Sequence, residues 1–136
     1  MRLLLDTNIL VFDTIEDAEK HEDAAKLIDE AEVFYIPSIV IHEFIWIMLR
    51  RIGADPDFVR RKITEYLEED PRSRYILEDP LVIENALKAL KKDGRTPVFV
   101  NDYIIMITAS NLGLALATYD KELAEIAQAY NVKTIP

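Results

Sequence analysis

The feature that most constrains this chain is the alternation of short, continuous apolar runs with longer amphipathic segments. Strand-length runs separated by helix-length stretches are the pattern of βα units built around a parallel sheet. Strands are expected at Arg2–Leu5, Val33–Ile36, Tyr75–Leu77, Ala115–Thr118 and Val132–Ile135, with Pro37, Pro80 and Pro136 punctuating three of their ends. Most of these runs are apolar throughout instead of alternating, as strands covered on both faces should be.

Between the strands, Asp17–Ala31 carries Ala24, Leu27, Ile28 and Ala31 at helical spacing. Ser38 is a candidate N-cap for a helix running to Arg51, with Gly53 beyond its end. A further helix starts after Asp55-Pro56 and presents Val59, Ile63, Tyr66 and Leu67; another starts at Asp79-Pro80 and stops before Gly94. Helices from about Asn101 to Leu112 and from Lys121 to Tyr130 complete the set. The expected class is α/β, a central parallel sheet of about five strands flanked by helices on both faces.

With 136 residues, half of them apolar, and no linker or repeat, residues 1–136 are expected to form a single domain with a sizeable core. The absence of cysteine excludes disulfides, thiolate-bound metals and a cysteine nucleophile, so any metal must be held by oxygen or histidine. The apolar run at Leu3-Leu4-Leu5 is cut by Asp6 too early for a secretory leader, and Ile39–Leu49 is too short to span a bilayer. A cytoplasmic protein without a membrane segment is expected. The 25 acidic and 16 basic residues give a net charge of −9, which excludes a broad electropositive surface, so a polyanion must bind locally.

Four carboxylates carry the candidate chemistry. Asp6 and Asp120 each directly follow an expected strand, where α/β sheets form their ligand crevices. Asp102 opens a helix. Glu43 lies in a segment, Ile39 to Leu49, so apolar that the helix is expected to be buried almost all round. A charged group there needs a cation, a hydrogen-bond partner or an open cavity. Each acid also has a plain structural explanation: N-cap for Asp6 and Asp120, helix-dipole partner for Asp102, a Glu–Arg pair for Glu43. Together they can converge on one sheet edge, and their oxygens suit hard cations such as Mg²⁺ or Mn²⁺.

Asp6-Thr7-Asn8 after an apolar strand, Glu43 within Val40-Ile41-His42-Glu43-Phe44, Asp102 ahead of an Ile- and Ala-rich helix, and Thr118-Tyr119-Asp120 jointly resemble the PIN domain. In size the chain is most similar to VapC-type toxins of toxin–antitoxin pairs. The resemblance runs from Arg2 to Ile135 and implies a parallel sheet flanked by helices. It also implies metal-dependent cleavage of RNA, Mg²⁺ or Mn²⁺ as cofactor, a homodimer and an antitoxin partner. It makes Asp6, Glu43, Asp102 and Asp120 the catalytic metal-site quartet, with Asn8 and Thr118 as supporting polar groups. An RNA-processing nuclease without a toxin role, or a catalytically silent binding module, is the alternative.

Other residues draw less weight. His42 and His21 are read as core or interface histidines and not as ligands. Arg50, Arg51, Arg60, Arg61 and Lys62 form the one dense basic cluster, either solvated surface or an RNA-backbone contact. Phe44, Trp46 and Met48 are read as core, or as part of a dimer interface.

Overall fold

The computed structural model describes residues 1–136. Five strands, β1 (Arg2–Leu5), β2 (Val33–Pro37), β3 (Ser73–Ile76), β4 (Ala115–Ala117) and β5 (Thr134–Ile135), form one all-parallel sheet in the order β3-β2-β1-β4-β5. Leu3, Leu4 and Leu5 of the central strand are 2% exposed or less, because helices cover the sheet on both sides. Each such leucine contributes roughly 2 kcal/mol by leaving water.

Seven α-helices connect the strands: α1 (Thr7–Thr14), α2 (His21–Asp29), α3 (Ser38–Trp46), α4 (Pro56–Thr64), α5 (Pro80–Asp93), α6 (Val100–Leu112) and α7 (Lys121–Ala129). The chain steps outward from β1 to β2 to β3, then crosses back to β4 and steps outward the other way. Right-handed crossovers therefore put α1 to α4 on one face and α5 to α7 on the other. The helix contacts follow that division: α1 packs on α2 and α3, and α6 on α5 and α7. One cluster of 31 buried apolar residues runs through both layers.

Local chemistry sets most helix ends. Asp55 and Asp79 accept from the backbone N–H of Asp57 (2.7 Å) and Leu81 (2.8 Å), each with proline at the first helical position. α2 is shorter than the sequence pattern suggested, beginning at His21 and not Asp17, since nothing apolar in residues 16–20 holds the first turn to the sheet except Ala18. The Arg72 guanidinium donates to the carbonyls of Ile28 (2.9 Å), Asp29 (3.1 Å) and Ala31 (3.1 Å), capping α2 from the turn that leads into the edge strand β3.

The segment expected as one helix from Ser38 to Arg51 departs from expectation in three ways. Ser38 is not the N-cap; its hydroxyl donates to the carboxylate of Glu78, whose other oxygen accepts from Ile39 N–H at 2.8 Å. The capping acceptor thus arrives from 40 residues away in the chain. After Trp46 the helix loosens into a π-helical turn, Ile47–Ile52, ended by Gly53 at φ 76°, a left-handed conformation that glycine adopts at little cost. The helix is also not buried all round: Phe44 and Met48 sit in the core, whereas His42 is exposed and Trp46 is 50% exposed. No element lies over that outer side.

Two tyrosine-centred networks fasten the helices that reach the sheet's C-terminal edge. The Tyr66 hydroxyl donates to Asp13 (2.5 Å) and meets the Thr14 hydroxyl (2.9 Å), tying the end of α1 to the turn after α4. Asp93 accepts from Tyr103 (2.6 Å) and Tyr130 (3.0 Å), joining α5, α6 and α7. No helix is long and apolar enough to cross a membrane.

Candidate functional site

The strand order reverses direction at β1, so β1 and β4 are neighbours whose following segments leave in different directions and open a crevice beyond their C-terminal ends. Asp6 follows β1, and Thr118, Tyr119 and Asp120 follow β4. The Asp6 N–H donates to Ala117 O at 3.0 Å, so the ladder itself holds the two ends in register.

Asp6 is 6% exposed and both of its carboxylate oxygens accept hydrogen bonds. Oδ1 accepts from Thr7 N–H (2.7 Å), which makes Asp6 the N-cap of α1. Oδ2 accepts from the Thr118 hydroxyl (2.7 Å) and the Asn8 amide (3.2 Å). Burial raises its pKa to about 6; the Thr118 and Thr7 hydrogen bonds pull it down, and the charges of Glu43 and Asp120 push it up. The polar groups expected to support the acids are in contact with them. Asn8 Oδ1 also accepts from Tyr119 N–H (3.2 Å), and the Thr118 hydroxyl accepts from Asp120 N–H (3.0 Å).

Asp120 caps α7, one oxygen accepting from Glu122 N–H (2.9 Å) and Leu123 N–H (3.3 Å). Its structural role and its place among the acids coexist. Asp102, in the first turn of α6, is half-buried; burial together with the charges of Asp120, Asp6, Glu43 and Glu122 raises its pKa to about 7. Glu43 reaches the group from α3. It makes no ion pair, which removes the Glu–Arg explanation; Oε1 instead accepts from the Thr7 hydroxyl at 2.9 Å.

The charges of Glu43 and Asp120 thus act on both Asp6 and Asp102, and every charge that perturbs Asp6 and Asp102 is negative. No three Asp, Glu or His side chains close into a tight ligand set; the group is open, composed of carboxylate oxygens, and without a cationic side chain to balance it. That donor chemistry fits a hard divalent cation. Sequence reasoning missed two participants. Thr7 was visible only as the middle of Asp6-Thr7-Asn8, and Glu122, in the first turn of α7, read as an ordinary dipole partner.

The histidines stay outside the group. His21 Nδ1 pairs with Phe12 O (2.9 Å), and His42 lies exposed on the outer side of α3. The basic cluster divides: Arg60 pairs with Asp57 (3.7 Å) and Lys62 with Glu65 (3.1 Å), while Arg50, Arg51 and Arg61 have no acidic partner. The largest cavity, about 570 Å³, opens at the opposite edge of the sheet among Met1, Arg2, Glu32 and Asn131, far from the acids. A cavity of about 380 Å³ borders Glu43.

A doubly covered parallel sheet with clustered acids at its switch point defines an α/β domain. The chain belongs to the PIN domain family, whose model matches residues 3–129. No curated protein sequence matches it. Among solved structures it resembles VapC20 of Mycobacterium tuberculosis, a toxin that cleaves the sarcin–ricin loop, with 17% identity, a TM-score of 0.77, and 91% of this chain and 94% of that chain covered. VapBC2 of Rickettsia felis, bound to a DNA fragment from its promoter, matches at 18% identity and a TM-score of 0.68, covering 99% and 98%. A toxin–antitoxin complex from Klebsiella pneumoniae matches at 19% identity and a TM-score of 0.65, covering 98% and 96%. These likenesses show that the fold is shared.

Proposed function

We propose that this chain, acting as a single domain over residues 1–136, is a metal-dependent endoribonuclease and the toxin of a toxin–antitoxin pair. The observation that carries the reading is the convergence of Asp6, Glu43, Asp102 and Asp120 with no cationic side chain among them. A divalent cation, Mg²⁺ or Mn²⁺, held by these four carboxylates supplies Lewis-acid stabilisation of the charge that develops on an RNA phosphodiester. The chain's own contribution is orientation. Thr118 and Asn8 fix the Asp6 carboxylate, Thr118 also fixes the backbone at Asp120, and Thr7 holds Glu43.

Partners follow from the same reading. Single-stranded RNA is the substrate, and of the basic cluster Arg50, Arg51, Arg60, Arg61 and Lys62 the three without an acidic partner, Arg50, Arg51 and Arg61, contact its backbone. The toxin–antitoxin complexes among the similar structures support an antitoxin partner; in this reading the chain acts as a homodimer in the cytoplasm. The open spacing of the acids favours one second reading, a catalytically silent module whose crevice receives partner arginines.

The test is cleavage of a single-stranded RNA by the purified chain with Mn²⁺, set against Asp102→Asn, together with growth after induced expression of each. The proposal expects the wild type alone to cut RNA and to arrest growth. Cleavage without growth arrest would replace the toxin with a processing nuclease. Absence of cleavage and of any Mn²⁺-induced rise in Tm would leave the silent module.

A further inference from the structure

The cavity beside Glu43 is lined by Glu43, Trp46, Ile47 and Arg51. Trp46 is the one tryptophan of the chain and is 50% exposed. Both neighbouring guanidiniums lie over its indole, Arg51 at 5.3 Å and Arg50 at 5.9 Å from the ring centroid. Neither arginine has an ion-pair or hydrogen-bond partner, although the chain carries 25 acidic residues.

The placement depends on the π-helical turn. In a regular α-helix, residues 43, 46 and 47 share a face, but position 51 has begun to drift away from it. The looser i→i+5 winding of Ile47–Ile52 turns Arg51 back toward the side that carries Glu43. A turn of this kind is rare and recurs at functional sites. An exposed aromatic ring, one free guanidinium, that of Arg51, and a metal-site acid therefore share one cavity.

We infer that this cavity is the subsite for the nucleobase next to the scissile phosphate, with Trp46 as the stacking platform and Arg51 as the backbone clamp; the inference rests on the ribonuclease reading above. Indole and guanidinium planes both stack on bases, whatever the base, and a guanidinium can hold a phosphate oxygen at the same time. Charge decides for nucleic acid over an apolar protein surface on this side. In a chain of net charge −9, the Arg51 guanidinium lies unpaired beside Glu43, where a polyanion must be drawn in locally. The other side of Trp46 is different: a second depression there is lined by His42, Ile45, Leu49 and Arg50 and is mostly apolar.

Because Trp46 is the one tryptophan, its fluorescence reads this cavity directly. The experiment titrates the wild type, in Ca²⁺ to hold the acids without turnover, with a single-stranded RNA decamer and with an abasic strand of the same length. The expected result is quenching by the RNA and little by the abasic strand. Trp46→Ala should bind about tenfold more weakly by anisotropy and Trp46→Phe close to wild type, with both variants melting as the wild type does. Equal quenching by both strands, or unchanged affinity in Trp46→Ala, overturns the inference. So does Trp46 emission that follows protein concentration alone, which would assign the ring to a protein interface. Mn²⁺-dependent cleavage, assayed separately, distinguishes the failures. Cutting without base-specific quenching removes the subsite and keeps the ribonuclease; quenching without cutting keeps the subsite and removes the ribonuclease.

Discussion

Thr7 follows Asp6 directly in the chain, yet its hydroxyl donates to Oε1 of Glu43, 36 positions away, at 2.9 Å. One turn of backbone thus fixes two acids, since Thr7 N–H binds Asp6 while Thr7 Oγ1 binds Glu43. Thr7→Val keeps the shape of the side chain and removes the donor. With Glu43 half-exposed, water can replace the lost bond, so stability should fall by only about 1 kcal/mol. Cleavage with Mn²⁺ should fall roughly 10–100-fold, the usual cost of losing a group that orients a metal ligand. Thr7→Ser should restore most of it. A Thr7→Val enzyme as active as the wild type would show that Glu43 needs no orientation.

The raised carboxyl pKa values dictate an unusual stability profile. Unfolded aspartates release their protons near 3.8, whereas folded Asp6 holds its proton to about 6 and Asp102 to about 7. Between those limits the folded state binds more protons than the unfolded one, so stability falls as pH rises. In EDTA, Tm should decline from about pH 4 to pH 7 and then level, with a contribution of roughly 3 kcal/mol from buried Asp6 and a smaller one from the partly exposed Asp102. Mg²⁺ or Mn²⁺ should remove most of the decline by stabilising the ionised folded form. A Tm that rises with pH through this window in EDTA would contradict the electrostatics of the crevice.

The pairing of the basic cluster changes what its removal should do. Arg60 and Lys62 are already neutralised by Asp57 and Glu65, leaving Arg61 as the unpaired member of its helix. Replacing Arg60, Arg61 and Lys62 with Ala should lower the slope of log affinity against log salt for single-stranded RNA by about 0.7, the value of one contact. A loss near three contacts would mean that the surface pairs break on binding. An unchanged slope would return all three to the solvated surface.

Features set by neighbouring residues could be read from the sequence. β1 was delimited correctly by an apolar run ending in an acid, and the Asp-Pro starts of α4 and α5 and the Gly end of α5 follow from caps within a few positions. The placement of Asp6 and Asp120 at strand ends was legible for the same reason. Ser38 misled because its true partner, Glu78, lies 40 positions on, and no local rule separates a serine that caps from one that donates elsewhere. The π-turn after Trp46 has no residue signature in Ile47–Ile52, and the apolar stretch around it suggested burial where an open cavity lies. Thr7 was hidden likewise, since its chemistry depends on which helix passes over it.

Asp6→Asn gathers these effects into opposite directions for stability and for activity. The amide oxygen can keep the bond from Thr7 N–H, but the amide nitrogen then faces the donors of Asn8 and Thr118. Asn8 cannot simply flip, because its own oxygen accepts from Tyr119 N–H. That frustration costs on the order of 1 kcal/mol. Against it, a buried carboxylate surrounded by negative charge becomes neutral, which relieves the roughly 3 kcal/mol that ionisation costs at neutral pH. In EDTA above pH 7 the variant should therefore melt higher than the wild type, with a flatter pH profile. It should also lose most of the Tm rise with Mn²⁺ and nearly all RNA cleavage, since the charge that recruits the cation is gone. An Asp6→Asn protein that melts below the wild type in EDTA would place the carboxylate among the groups that hold the fold together and not among those poised for a cation. One that still gains the full Mn²⁺ stabilisation would remove Asp6 from the metal site.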